Sequence, residues 1–379
     1  MERIGLSFSG GLNPPDIVDC IQLADELGYE SAWMAEGHGG DQFSILTACA
    51  LRTKNILLGT SITSVFVRSA PTIAMAAASV DHFSHGRFVL GLGTSHKVQV
   101  VPEHGLVFDR AVPRMRECVE IVRGLLQKGE VSYQGDVYNI ENFDFWFEPL
   151  RREIPIYVAA VFPKMLEVCG EISQGALMTW CTLEHAATAA IHVAEGAKRA
   201  SRDPSEVEVA TLMPCAVGSS GEGAMEGLKI NIARYAAKFP RYRKLMDNAG
   251  FIEELQGVRR AWTAGKEAEA VRLVPDELVD AIALVGNADK ARSRLDEYRR
   301  AGITQPARPS ERGSCLDGHA SARLGSKHVV AVGLVLLSEE EPTRHADHSS
   351  GGSRGFQVIL GFEHDPDLGA ARDEHHFGC

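Results

Sequence analysis

Four short segments of the chain carry groups suited to cofactor chemistry, and each follows a run of residues typical of a β-strand. In the first, Glu36 and His38 stand two residues apart in a glycine-rich loop. Histidine titrates near neutral pH and can exchange a proton with a reacting group, and a nearby carboxylate can orient it or act in its place. The alternative interpretation is a solvated loop histidine beside the start of a helix.

The second and third segments are rich in small residues. Ser61 and Ile62 end the third predicted strand, where small hydroxyl groups either bond a cofactor ring or simply end a strand. Gly93, Thr94 and Ser95 end the fourth, and glycine permits close backbone approach to a ligand. This run is not a dinucleotide-binding fingerprint, because it lacks the third glycine and does not lie in the first βα unit.

The fourth segment is Ala160-Val161-Phe162, which runs into Pro163 and a predicted helix. Free backbone N–H groups at the start of a helix attract phosphate, and the helix dipole adds to this attraction. Most helix starts bind nothing, so this segment alone indicates only a candidate phosphate site.

Strand-like and helical runs alternate along the chain, as expected for parallel strands joined by helical crossovers. The predicted strands are Arg3–Phe8, Ser31–Ala35, Asn55–Ile62, Arg87–Leu92, Ile154–Ala159, Gly175–Trp180 and Val207–Val217. The predicted helices are Pro15–Leu27, Phe43–Arg52, Pro71–Phe83, Pro163–Ile172, His185–Ser201, Pro275–Ala283 and Asp289–Ala301, with a further helical stretch at 223–262 broken near Pro240 and Gly250.

An insertion follows the fourth strand, with an amphipathic helix at Val112–Leu126 and a hairpin at Val131–Ile140. Seven clear βα units and an eighth strand opening at 302–304 exceed the five or six of an open doubly wound sheet. The sequence therefore predicts a closed (β/α)8 TIM barrel over residues 1–304.

Residues 305–379 have a different composition and hold seven of the 14 histidines. Only Lys327–Leu337 and Phe356–Phe362 resemble strands there. Three interpretations stay open for this tail: a disordered segment, a small β module, or the product of a shifted reading frame. His375, His376 and Cys379 could bind a metal, but scattered tail histidines are the simpler interpretation, and we predict no metal site.

The composition excludes several classes of protein. A net charge of -11 argues against a nucleic-acid partner, which requires a basic face. No signal peptide and no run of about 18 apolar residues is visible, so we expect no membrane partner. None of the eight cysteines forms a C-x-x-C pair, which indicates reduced thiols and a cytoplasmic protein.

Taken together, the four segments resemble the luciferase-like monooxygenase superfamily, in particular its branch that uses coenzyme F420, an 8-hydroxy-5-deazaflavin. The resemblance covers residues 3 to 304. It rests on WMAEGHG at 33–39, LGTSI at 58–62, APTIAMAAASVDHFSHGRFVLGLGTS at 70–95, YVAAVFPKMLEVCGEISQGAL at 157–177 and GNADKARSRLDEYRRAGIT at 286–304.

The resemblance implies a role for each segment. Glu36 and His38 would lie beside the redox-active ring, and a cis peptide bond at Ser61–Ile62 would form a bulge behind it. The glycine-rich end of strand four would fall on Gly93, Thr94 and Ser95.

The cofactor phosphate would rest on backbone N–H groups of Ala160, Val161 and Phe162. Relatives often carry glycines before the proline, and Val161-Phe162 departs from that pattern. Pro306 and Pro309 make a central eighth strand improbable. These prolines conflict with full closure of the predicted barrel, and from them we expect unpaired edges at strands one and seven and a tail that lowers stability.

The implied function is hydride transfer between coenzyme F420 and a small organic substrate, in an enzyme expected to form a homodimer. One alternative is an FMN-dependent monooxygenase that uses reduced flavin and oxygen. Another is an inactive barrel that serves as a binding subunit. No feature of the sequence identifies the substrate.

Overall fold

The computed structural model describes residues 3–9, 11–217, 221–303 and 332–337. Its strands are β1 Arg3–Phe8, β2 Ser31–Met34, β3 Leu57–Thr60, β4 Thr63–Ser64, β5 Phe88–Gly93, β6 Glu130–Gln134, β7 Asn139–Asp144, β8 Ile156–Ala159, β9 Gly175–Thr179, β10 Glu208–Val217, β11 Leu284–Gly286 and β12 Val332–Leu337.

Thirteen helices surround these strands in the described part of the chain. They are α1 Pro14–Glu26, α2 Gln42–Arg52, α3 Ala70–Phe83, α4 Lys97–Val100, α5 Ala111–Lys128, α6 Pro163–Ile172, α7 Leu183–Arg199, α8 Gly221–Lys238, α9 Pro240–Asn248, α10 Ile252–Thr263, α11 Glu267–Arg272, α12 Asp276–Ile282 and α13 Ala288–Arg300.

Eight strands form a closed ring in the order β12-β1-β2-β3-β5-β8-β9-β10, because β10 pairs with both β9 and β12. Seven of them run parallel, so their carboxyl ends meet at one face. The predicted TIM-barrel fold is therefore confirmed, but its eighth strand is the antiparallel β12 and not a strand opening at 302–304, since residues 301 and 302 form a turn. In this fold the carboxyl face carries the active site.

The eighth strand corrects the expectation of an unclosed barrel. β12 lies antiparallel between β1 and β10, with Val335 opposite both Gly5 and Leu212. It belongs to the run Lys327–Leu337 that resembled a strand in the sequence. The edges of β1 and β10 are therefore paired. Thr304, Pro306, Pro309, Phe356–Phe362 and the histidines His375 and His376 lie outside the described residues.

Local signals explain why the helices begin where they do. Proline stands in the first turn of α1, α3 and α6, where its missing N–H costs nothing. The side chains of Asp41, Ser69 and Thr182 cap α2, α3 and α7 by accepting a backbone hydrogen bond. The predicted bounds of these helices agree with the structure to within a few residues.

Four short elements had no usable sequence signal. These are β4, α4, α11 and β11, which span two to six residues. Runs this short contain too little hydrophobic periodicity to indicate a strand or a helix. β11 extends the sheet beside the end of β10, with Gly286 opposite Val217.

The buried residues form three clusters. The largest lies between the strands and the surrounding helices. A second holds α8 to α12 together through residues such as Leu228, Leu245 and Leu278. The third fills the inside of the ring and includes Trp33 and Tyr157, whose ring centroids lie 5.6 Å apart. Helices α8 to α12 thus have a core of their own.

Two further expectations concern the described part of the chain. Its six cysteines are free thiols, and five of them are buried, as predicted. No helix there combines the length and the apolar character that crossing a membrane requires.

Replacing Val335 with proline should destabilise the protein, because proline removes a backbone donor from the centre of the sheet. The expected cost is about 1–3 kcal/mol, the usual cost of leaving a buried hydrogen-bonding group without its partner, which thermal denaturation would show as a fall in Tm of several degrees. Val335→Thr keeps the donor and serves as the control. Equal melting of all three proteins would contradict the pairing of β12 with β1 and β10.

Candidate active site

A cis peptide bond joins Ser61 to Ile62 between β3 and β4, as the resemblance implied. The Ser61 backbone N–H donates to the Met34 carbonyl at 2.9 Å, and the Ile62 carbonyl accepts from the Glu36 N–H at 3.3 Å. These bonds tie the bulge to the loop after β2. Two of the four predicted segments therefore form one unit at the carboxyl face.

The glycines at the end of β5 make room for this bulge. A β-carbon on Gly91 would lie 1.8 Å from the Thr60 carbonyl oxygen, and one on Gly93 would lie 2.4 Å from Cγ1 of Ile62. Neighbouring protein atoms therefore fill the space that a side chain at either glycine would need, and a cofactor contact at Gly93 stays a prediction. Ile62 in turn packs against the cluster inside the ring. The third segment thus supports the second.

Glu36 is held by donors from the chain after β4. Its carboxylate accepts from the Ser64 backbone N–H at 2.6 Å and from Nε of Arg68 at 2.5 Å. Arg68 also pairs with Asp41, the cap of α2. The Glu36 side chain is only 15% exposed, and its oxygens are engaged by groups other than a histidine.

His38 lies apart from this network. Its side chain is 72% exposed, and Nε2 is 3.2 Å from a carboxylate oxygen of Glu103. Of the two roles predicted for Glu36, orienting His38 or acting in its place, the first is not supported, because the carboxylate that contacts the imidazole belongs to Glu103. Glu103 follows the short helix α4, and no sequence spacing links it to residue 38.

The end of β5 continues into a sharp turn. Ser95 has a positive φ of 53°, and the Thr94 hydroxyl approaches the Ser95 carbonyl at 3.5 Å. The turn brings His96 against two rings of the α8–α9 region, with centroid distances of 4.8 Å to Phe239 and 5.0 Å to Tyr242. Burial, aided by the charge of Arg241, lowers the pKa of His96 to about 4. The imidazole is therefore neutral at physiological pH.

His96 belongs to a larger aromatic cluster that the sequence did not reveal. Trp180, which follows β9 directly, lies 4.7 Å from Tyr235, and Tyr235 stacks on Phe239 at 4.7 Å. These rings connect the ends of β5 and β9 to α8 and α9. Helices α8 and α9 therefore cover part of the carboxyl face.

The segment before α6 is less open than predicted. The Ala160 N–H already donates to the Leu177 carbonyl at 3.0 Å, which leaves Ala160 no free donor. Phe162 stands at the helix start without a side-chain cap. Of the three residues predicted to bind the phosphate, only Val161 and Phe162, directly before α6, stay candidates for donating a backbone N–H to it.

His185 adds a group that sequence reasoning missed. Its ring bonds the Val161 backbone, and burial lowers its pKa below the ordinary range for histidine. Its Nε2 atom is buried and has no hydrogen-bond partner in the described structure. A buried nitrogen without a partner is costly unless a ligand or water satisfies it.

Comparison with known proteins places this architecture in a single class of enzyme. The barrel closes around a packed interior, and its carboxyl face carries the bulge, the Glu36 loop and the start of α6. The luciferase-like monooxygenase family matches residues 3–305. The chain belongs to this family, which confirms the predicted resemblance and the predicted class, an oxidoreductase of this fold.

Two relatives are similar over nearly their whole length. The chain is 26% identical over 334 residues to a 5,10-methylenetetrahydromethanopterin reductase of Archaeoglobus fulgidus, covering 86% of this chain and 98% of the relative. It is also 26% identical to the solved coenzyme F420-dependent tetrahydromethanopterin reductase of Methanopyrus kandleri, with a TM-score of 0.74 over 80% of this chain and 92% of that one.

A flavin enzyme shares the fold more distantly. The oxygenating constituent of 3,6-diketocamphane monooxygenase from Pseudomonas putida, solved with FMN, has a TM-score of 0.57 and 16% identity, over 79% of this chain and 89% of that one. At this identity the likeness concerns the fold alone.

Replacing Gly93 with alanine should displace Ile62 and loosen the bulge, because the new β-carbon has no room. Overpacking of this kind costs about 1–3 kcal/mol, measurable by chemical denaturation. Gly124→Ala on α5 is the matched control, since its β-carbon would lie 3.7 Å from Cγ2 of Val131. Alanine there should be neutral or stabilising by up to about 1 kcal/mol. Equal stability of the two variants would show that Ile62 does not need the Gly93 gap.

Proposed function

We propose that this protein transfers a hydride between coenzyme F420 and a small organic substrate. The observation that carries the proposal is the similarity over nearly full length to two methanopterin reductases, one of them solved as a coenzyme F420-dependent enzyme. The bulge at Ser61–Ile62 supports it, because it lies where the resemblance expects a backing for the cofactor ring.

The residues at the carboxyl face fit such a cofactor. The unpartnered Nε2 of His185 lies on a ring bonded to the Val161 backbone. In this neutral ring Nε2 is an acceptor, so the donors available to a phosphate are the uncapped backbone N–H groups around Phe162. Ser61 and Ile62 would back the ring, while Thr94 and Ser95 would line its edge. When bound, the deazaflavin supplies the carbon that gives or accepts the hydride.

Two side chains of the protein have separate roles in this proposal. Glu36, held by Ser64 and Arg68, fixes the loop after β2 against the bulge. His38, exposed and paired with Glu103, exchanges a proton with the substrate. The homodimer and the cytoplasmic location remain predictions from the sequence.

Equilibrium binding tests the choice of cofactor. Purified full-length protein is titrated with coenzyme F420 and with FMN, each followed by fluorescence quenching. Micromolar or tighter binding of coenzyme F420 with weak binding of FMN is the expected result. The reverse order would identify a flavin monooxygenase, and binding of neither would indicate an inactive barrel.

Replacing His38 with alanine should slow hydride transfer roughly 10²–10⁴-fold, the usual contribution of a positioned acid or base, and leave cofactor affinity unchanged. The rate is read from the cofactor absorbance, with methylenetetrahydromethanopterin and simple secondary alcohols as trial substrates. His104→Ala, at an exposed histidine in the same region as Glu103, controls for the loss of an imidazole. Unchanged turnover in His38→Ala would remove this residue from the mechanism.

A further inference from the structure

Helix α9 carries two cations on one face. Arg241 and Lys244 are three residues apart, a spacing that places their side chains side by side on a helix. Both are exposed. Arg243, between them, projects about 160° away from Arg241 at 3.6 residues per turn.

Contacts with Phe162 and His96 show where this face of α9 lies. Lys244 Nζ stands 5.8 Å from the centroid of the Phe162 ring, directly before α6. Arg241 directly precedes Tyr242, whose ring centroid lies 5.0 Å from that of His96, after β5. The two cations therefore lie above the ends of β8 and β5, next to two segments assigned to the cofactor.

Neither cation is neutralised by a carboxylate in the described part of the chain. Many of its other cations are paired: Arg68 with Glu36, Arg151 with Asp81 and Lys229 with Asp276 are examples. The whole chain has a net charge of -11. Two adjacent unpaired cations beside a binding face of an acidic protein raise the local concentration of anionic ligands.

We propose that Arg241 and Lys244 bind the anionic part of the cofactor that lies beyond its phosphate. This inference rests on the proposed function. Coenzyme F420 carries a tail of carboxylates after its phosphate, whereas FMN ends at the phosphate. A basic face above the start of α6 therefore favours the deazaflavin cofactor over FMN by charge.

The test compares the affinities of full-length variants for three ligands: coenzyme F420, its chromophore without phosphate and tail, and FMN. The double variant Arg241→Ala/Lys244→Ala should raise the Kd for coenzyme F420 about 3- to 10-fold at low salt, since exposed ion pairs are individually weak. The difference should shrink at about 0.5 M salt, where exposed charges are screened. Binding of the bare chromophore should not change.

Arg243→Ala is the matched control, because it removes one charge from the same helix on another face. Its affinity for coenzyme F420 should stay close to that of the unmodified protein. Equal affinities of the control and the double variant would overturn the inference. An equal loss for the bare chromophore would also overturn it, because the cations would then act on the ring or on the fold.

Two further outcomes separate this inference from the proposed function. If the double variant keeps its affinity for coenzyme F420 while the KM for a substrate rises, the cations bind an anionic substrate and the inference is wrong. If the unmodified protein does not bind coenzyme F420 at all, the proposed function fails together with the inference.

Discussion

The carboxyl face of this barrel depends on how closely Ile62 can approach the end of β5. The chain turns between β3 and β4 through the cis bond at Ser61, and Ile62 then fills the volume that a side chain at residue 93 would need. Gly91, two residues earlier on β5, must also lack a side chain, because a β-carbon there would collide with the Thr60 carbonyl oxygen. Close packing of this kind tolerates little change in volume.

Hydrogen bonds hold the same bulge from the opposite side. The Glu36 backbone donates to Ile62, and the Glu36 carboxylate binds Arg68, which also reaches the cap of α2. A largely buried ion pair contributes little net stability but is costly to break by removing one partner. The network therefore determines the geometry of the loop after β2 more than it raises the stability of the barrel. His38 takes its position from this loop, although its own contacts lie elsewhere.

Features that depend on local signals could be predicted from the sequence. Apart from the short elements β4 and α4, the strands and helices of the first 217 residues follow from hydrophobic period and from prolines that open helices. The cis bond and the Glu36 loop followed from family resemblance at those residues, not from composition. The error about Glu36 and His38 arose because neighbours in a loop need not face each other. The true partners, Arg68 and Glu103, are distant in sequence.

Contacts between distant segments explain what the sequence could not show. β12 closes the ring by pairing with both β1 and β10, and the prolines after residue 304 pointed away from that outcome. His185 and His96 likewise become visible only when α7 meets the start of α6 and when α9 meets the end of β5. Neither histidine stands in a motif that marks it.

Helices α8 to α12 have their own buried core, so their surface can change without disturbing the barrel. They meet the carboxyl face through rings such as Trp180, Tyr235 and Tyr242. In barrels of this kind the strand ends hold the common chemistry, and the loops above them adapt it to different ligands. In the proposed function, the bulge and the start of α6 hold the cofactor. The α8–α9 surface, which packs on the neutral His96 and carries exposed cations, would on our proposal select among ligands that share the same ring.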